Sequence, residues 1–234
     1  MRRETQNVLL LLLGGALLKI AVTGDYLRYV KAAHQPWLIG AGAVMVLLAV
    51  VAIVRDLRGA ARGGAGHDHD HSARSAWLLM VPVLAVFLVA PPALGADSVT
   101  RTRAGEGYAP SGASFPPLPP GPVVPLSVTD FVSRAGWDES GSLHGRTVRL
   151  TGFVVHSHGR TELARMVIGC CAADAFAVRV ELRGGPADTL AEDTWIEVTG
   201  EVVPGADTAA SGYVPALAVG SLREVPAPTD PYEY

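Results

Sequence analysis

The chain has 234 residues, 49% of them apolar, and a formal net charge of −3, a length that suits one or two domains. Residues 1–95 carry nine Lys/Arg and five Asp/Glu, whereas residues 96–234 carry ten and seventeen; the acidic C-terminal part argues against nucleic acid, which selects for basic patches. Two cysteines in the whole chain do not make a disulfide-stapled scaffold.

The chain opens on a short basic stretch with Arg2 and Arg3, followed by VLLLLLGGALLKIAV at residues 8–22. That pattern fits a signal peptide, but Lys19 stands where the small-residue cleavage site belongs. A transmembrane helix needs roughly 17–25 residues; here the span extends through Thr23, with Lys19 snorkelling to the interface. The helix is preferred because two more apolar segments follow. Residues 23–36 form a polar connection with Tyr26 and Tyr29 as aromatic anchors, and residues 37–54 are an uninterrupted apolar run opening on Trp37, a second span. Residues 55–76 are hydrophilic and glycine-rich, with Arg55, Arg58, Arg62 and Arg74 and the tract HDHDH at 67–71. Residues 77–94 are a third run, opening on Trp77, kinked by Pro82 and ended by Pro91 and Pro92.

The arginines set the orientation. Six lie in the N-terminus and the 55–76 loop, against Arg28 and Lys31 in the first connection, so the positive-inside rule puts the N-terminus and that loop in the cytoplasm. Three spans then place everything after Leu94 outside. The expectation is a multi-pass plasma-membrane protein, in contact with lipid over residues 1–95, with an extracytoplasmic C-terminal domain.

Residues 96–125 read as a linker, because FPPLPPGPVVP is proline-dense, extended and semi-rigid. The domain proper is expected over 126–234. Residues 127–136 predict a short helix, capped by Ser127 or Thr129, with Asp130 in its first turn and Gly136 at its end. Period-two alternation predicts strands over 148–156, 177–182 and 194–203, with 166–170 and 217–225 as shorter candidates. Turn signals stand at His158-Gly159, Gly184-Gly185-Pro186 and Pro204-Gly205. The expected fold class is α+β: three N-terminal transmembrane helices and a small five-stranded β-barrel of OB type, with an open sandwich as the alternative.

Two groups of side chains carry metal-binding chemistry. In HDHDH, His67, His69 and His71 alternate with Asp68 and Asp70, a ligand set suited to Zn²⁺ and similar ions; the plainer reading is a solvated linker. Cys170 and Cys171 are adjacent, Asp174 follows four residues after Cys170, and His156 and His158 lie on one face of a predicted strand from which they approach across a turn. Thiolates bind soft and borderline metals; the alternative is one small core cysteine and one packed in a turn. Neighbouring Cα atoms sit about 3.8 Å apart across a trans peptide, below the usual disulfide range, so a vicinal disulfide is strained. A C-x-x-C motif, a phosphate-binding glycine loop, a nucleophile elbow and a metalloprotease helix motif are all missing from the sequence, and no enzymatic activity is expected.

A resemblance covers nearly the whole chain. TGDYLRYV at 23–30, the His/Asp tract before the third apolar run, GFV at 152–154, RMVIGCCAAD at 165–174, TWIEVTGEV at 194–202 and the terminal PAPTDPYEY resemble the YcgQ-like family of bacterial membrane proteins, described as permease subunits. CCAAD is the specific part. The resemblance implies a polytopic permease as partner and a link to metal handling, with Zn²⁺ the expected ion; the family's tract is often longer in histidine than HDHDH. The expected function is therefore an accessory subunit of a permease. The rival is a stand-alone, membrane-anchored metal-binding or thiol-redox protein.

Overall fold

The computed structural model describes residues 3–60, 80–89, 92–101, 115–206 and 213–234. Trp77 and the HDHDH tract, with His67, His69 and His71, lie outside the described residues. The chain divides into two compact units, Met1–Pro92 and Ala93–Tyr234.

In the first unit, α1 (Arg3–Thr23) leads through two 3-10 turns to α2 (Gln35–Ala60), and α3 (Met80–Leu88) follows. Two described helical stretches, Thr5–Thr23 and Ala32–Gly59, are long and apolar enough to cross a membrane. α2 leaves Trp37 77% and Leu47 62% exposed, apolar surface better suited to lipid than to water. Of the third apolar run, the nine residues of α3 are helical. Tyr26 does not act as an outward anchor: it is buried with Ile20 and Leu27 in a small cluster where the chain turns back, and Gln35 Nε2 closes that turn on the Ala21 carbonyl at 3.0 Å.

The second unit is α+β with a mixed sheet. It contains α4 (Ala96–Arg101), β1 (Val123–Pro125), α5 (Val128–Trp137), β2 (Thr147–Ser157), β3 (Arg160–Val167), β4 (Phe176–Arg183), β5 (Trp195–Val203), β6 (Ala216–Glu224) and β7 (Tyr232–Glu233). The strands neighbour one another in the order β1-β2-β5-β6-β4-β3-β7, and β2 also pairs with β3. β1–β2, β4–β6 and β3–β7 are parallel; the other pairs are antiparallel. A bulge at Thr199/Gly200 bends β5 against β6, and Gly200 is required there, because a Cβ would collide with the Ala218 carbonyl.

The expected helix forms, with Ser127 as its N-cap: the Ser127 hydroxyl accepts from the Asp130 amide at 2.9 Å. Its apolar face inserts Val128 and Phe131, both fully buried, into a core of Val148, Leu150, Val154, Val180, Ile196, Val198 and Leu217. These are largely the inward positions that alternation assigns. A second apolar cluster occupies the other face of β2 and β3, where Phe153, Val155, Ala164, Met166 and Ile168 pack with Ala96, Val99 and Tyr232.

Two expectations are corrected. The candidate strand at 166–170 is β3, Arg160–Val167, and ends before the cysteines. Its first six residues, RTELAR, read as polar, yet Glu162 and Arg165 are both buried. Glu162 pairs with Arg179 at 3.2 Å. Arg165 stands 3.6 Å from Glu233 and lies over the Trp195 ring at 4.8 Å. Ion pairing and cation–π contact let these groups occupy strand interior that hydropathy assigns to the surface. The linker 96–125 is likewise partly built into the unit. Its α4 buries Ala96 and Val99, the Ala96 amide donates to Asp193 at 2.6 Å, and Val123–Pro125 pairs with β2.

A fragment beginning at Ala93 is therefore expected to fold with a β-rich spectrum and a cooperative melt. A fragment beginning at Leu126 loses the burial of Val99 and Val124 and should be less stable by roughly 2–5 kcal/mol. Equal denaturation midpoints for the two would show that α4 and β1 contribute nothing.

Candidate metal centre

β3 ends at Val167, and the Ile168 amide makes one last bond to the Glu233 carbonyl at 3.1 Å. The chain then leaves the sheet through Gly169, Cys170 and Cys171, makes one 3-10 turn at Ala172–Asp174 and re-enters it at Phe176. Asp174 closes this corner. Its carboxylate accepts the Gly169 amide at 2.8 Å and the Cys170 amide at 2.7 Å, and its own amide donates to the Cys171 carbonyl at 3.1 Å. A Cβ on Gly169 would stand 2.9 Å from Asp174 Oδ2, so a larger residue would displace the carboxylate.

The two sulfurs lie 3.7 Å apart as free thiols, Cys170 exposed and Cys171 half-buried. Neither is a core residue. One ligand atom each from Cys170, Cys171 and Asp174 falls within 4.8 Å of the others. The carboxylate accepts a hydrogen bond from the Cys170 thiol and, together with Cys171, pushes it up to about 11. That same hydrogen bond, reinforced by the backbone amides, holds the Asp174 carboxyl below its ordinary value. At neutral pH the corner thus presents an ionised carboxylate beside a thiol whose proton an incoming metal must displace.

The histidines expected at this site are elsewhere. β2 and β3 are joined by His158-Gly159, both in the left-handed region with φ of 52° and 73°, which makes the tight two-residue turn of a hairpin. His158 is a turn residue. His156 is opposite Thr161, at the far end of β3 from the cysteines; the six steps from Thr161 to Val167 span roughly 20 Å. Its Nδ1 lies 3.2 Å from the Thr161 hydroxyl and its Nε2 2.8 Å from the Leu190 carbonyl, while Thr161 donates to Asp188 at 2.6 Å. These groups border a separate polar cleft of about 410 Å³, shared with Arg160 and Glu181. Sequence reading missed Thr161 and Asp188, since nothing local links positions 27 residues apart. It also missed the Gly169 and Cys170 amides, which a carboxylate four or five positions onward was a usable signal for.

Residues 5–104 match the DUF1980 N-terminal domain and residues 137–234 the DUF1980 C-terminal domain. The chain carries both DUF1980 domains. No curated protein and no solved structure matches it significantly. The DUF1980 C-terminal match begins at the last residue of α5 and takes in β2 to β7 with the whole Cys170–Asp174 corner. The N-terminal match runs through α4, a helix that packs within the β-unit.

Replacing Asp174 with Asn removes the charge that raises the Cys170 thiol. The thiol should then ionise at lower pH, and iodoacetamide should label Cys170 faster at pH 8, by about three- to fourfold for each unit the thiol falls, since the roughly tenfold gain in thiolate is partly offset by its weaker nucleophilicity. Peptide mapping against time measures this. An unchanged rate would show that Asp174 does not govern the thiol.

Proposed function

We propose that this DUF1980 protein is an accessory membrane subunit of a permease, and that its outer β-domain binds a divalent metal ion, Zn²⁺ first, at Cys170, Cys171 and Asp174. The observation that carries the metal reading is the convergence of those three ligand atoms within 4.8 Å. Tetrahedral zinc with Zn–S bonds of about 2.3 Å separates two thiolate sulfurs by about 3.8 Å; the two sulfurs here are 3.7 Å apart. A carboxylate supplies a third ligand of compatible chemistry. Three protein ligands on an exposed corner leave the fourth position to water or to a ligand from another molecule, an arrangement suited to taking up and releasing an ion. On this reading the chain is not an enzyme. Its own residues hold the ion, and Asp174 shapes the turn that keeps the sulfurs together.

The β-domain is read as a closed five-stranded barrel of OB type, because β2–β5–β6–β4–β3 pair in sequence and β3 pairs back to β2. The membrane part is read as three spans with a cytoplasmic N-terminus. That reading rests on the two long apolar helices, the third apolar run and the arginines of the 55–76 loop. It places His67, His69 and His71 inside as a weak second collection point and the cysteine corner outside. The permease partner comes from the YcgQ-like resemblance. The rival, a stand-alone membrane-anchored metal-binding or thiol-redox protein, draws on the exposure and proximity of the two thiols.

Reporter fusions after residues 65 and 130 should report opposite sides of the membrane, and a cytoplasmic signal from the second would sink the three-span reading. In calorimetric titration of the reduced full-length protein with Zn²⁺, Cys170→Ser with Cys171→Ser should remove the tightest site while moving stability by under about 0.5 kcal/mol, since neither side chain is core. The triple change of His67, His69 and His71 to Ala should remove only weaker binding. Undiminished binding by the double serine variant would refute the centre. Co-purification with a polytopic permease separates the accessory subunit from the stand-alone rival.

A further inference from the structure

We propose that Cys170 and Cys171 form a reversible vicinal disulfide, making the corner a site of oxidative modification by low-molecular-weight disulfides. Its consequence for metal rests on the reading above; the bond itself does not.

Four observations converge. The sulfurs are 3.7 Å apart and both are free thiols. Cys170 is exposed and Cys171 half-buried, so a reagent reaches the first sulfur more readily than it reaches both. Cys170 also lies outside the strand ladder, and Cys171 makes only an isolated bridge. The Cys170 amide bonds to the Asp174 side chain and the Cys171 carbonyl receives the Asp174 amide, so closure acts on one turn and on none of the strand pairs of β3 and β4. His156 and His158, expected beside the pair, are remote from it, since they lie at the opposite end of β3.

The chemistry is a two-step exchange. One thiolate of the pair attacks a sulfur of the small disulfide RSSR; its S–S bond breaks, RS⁻ leaves, and a mixed disulfide forms on the protein. The neighbouring thiolate then attacks the protein sulfur of that mixed disulfide, a second RS⁻ leaves, and the vicinal S–S bond forms. The two protein thiols lose two electrons and two protons, and RSSR becomes two RSH. Because neighbouring Cα atoms sit about 3.8 Å apart across a trans peptide, below the usual disulfide range, the product is strained and readily reduced, the behaviour of regulatory rather than structural disulfides. Closure consumes both thiolates, and the corner then retains a single carboxylate for metal.

The test treats full-length protein in detergent with excess oxidised glutathione and reads intact mass without reductant. The expected product is a monomer lighter by two hydrogens, with no glutathione retained, restored by dithiothreitol. The Cys171→Ser variant should instead keep one glutathione on Cys170. Wild-type protein that keeps glutathione, forms a disulfide-linked dimer or does not react would overturn the proposal. Zn²⁺ titration of the reduced and oxidised forms separates the two readings: the oxidised form should bind at least about tenfold more weakly. If the vicinal bond forms but the reduced protein binds no metal, the modification stands and the metal centre falls. If the reduced protein binds metal but the glutathione adduct persists, the centre stands and the disulfide falls.

Discussion

The carboxylate of Glu233 receives the amides of Val128 and Thr129 at 2.9 and 2.8 Å and the Thr129 hydroxyl at 2.5 Å, and stands 3.6 Å from the buried guanidinium of Arg165. It thereby satisfies free donors at the start of α5, places a negative charge at the helix N-terminus and balances a cation taken out of water. Arg165 completes the arrangement by lying over Trp195 and donating to the Tyr232 carbonyl at 3.2 Å. A buried charge that loses its partner typically costs about 3–5 kcal/mol, so α5, β3, β5 and β7 depend on one side chain. The same contact seats β7 beside β3, which gives the Ile168 amide its partner and sets where the chain departs for the cysteine corner.

That seating explains why β3 is buried on both faces. One face joins the main core under α5, while the other is covered by α4 and Tyr232. Past its first residue, Arg160, the strand has no solvent side on which to place charge. Its two buried charged residues are consequently paired, Glu162 with Arg179 and Arg165 with Glu233, while the half-buried Arg160 pairs with Glu181 at 3.6 Å. Burial raises the Glu162 carboxyl, and the guanidinium of Arg179 opposes that rise.

The cysteine corner inherits its geometry from two sources with different ranges. Asp174, Gly169 and Cys170 are bound to one another within a single turn, a local device that needs no distant partner. Its orientation is set by the neighbouring strands, since Ile168 and Ala175, on either side of the turn, both belong to the apolar cluster that contains Ala96 and Val99. A corner held by side-chain bonds between two fixed strand ends can admit a ligand or change oxidation state with its anchors undisturbed.

What the sequence by itself determined is what short-range chemistry encodes. Ser127 and Asp130 specify the start of α5; alternation in β2, β4 and β5 marks their inward residues; His158-Gly159 turns a hairpin; and Asp174 folds back on Cys170. Each of these rests on groups within a few positions of one another. Only the tertiary structure decided the rest. RTELAR becomes interior strand because Arg179, Glu233 and Trp195 arrive from elsewhere in the chain. Residues 96–101 and 123–125, read as linker, become helix and strand because the sheet offers them an apolar face and a free edge. His156 and His158 separate from the cysteines because hairpin register, which periodicity leaves open, puts the turn at one end of β3 and the thiols beyond the other.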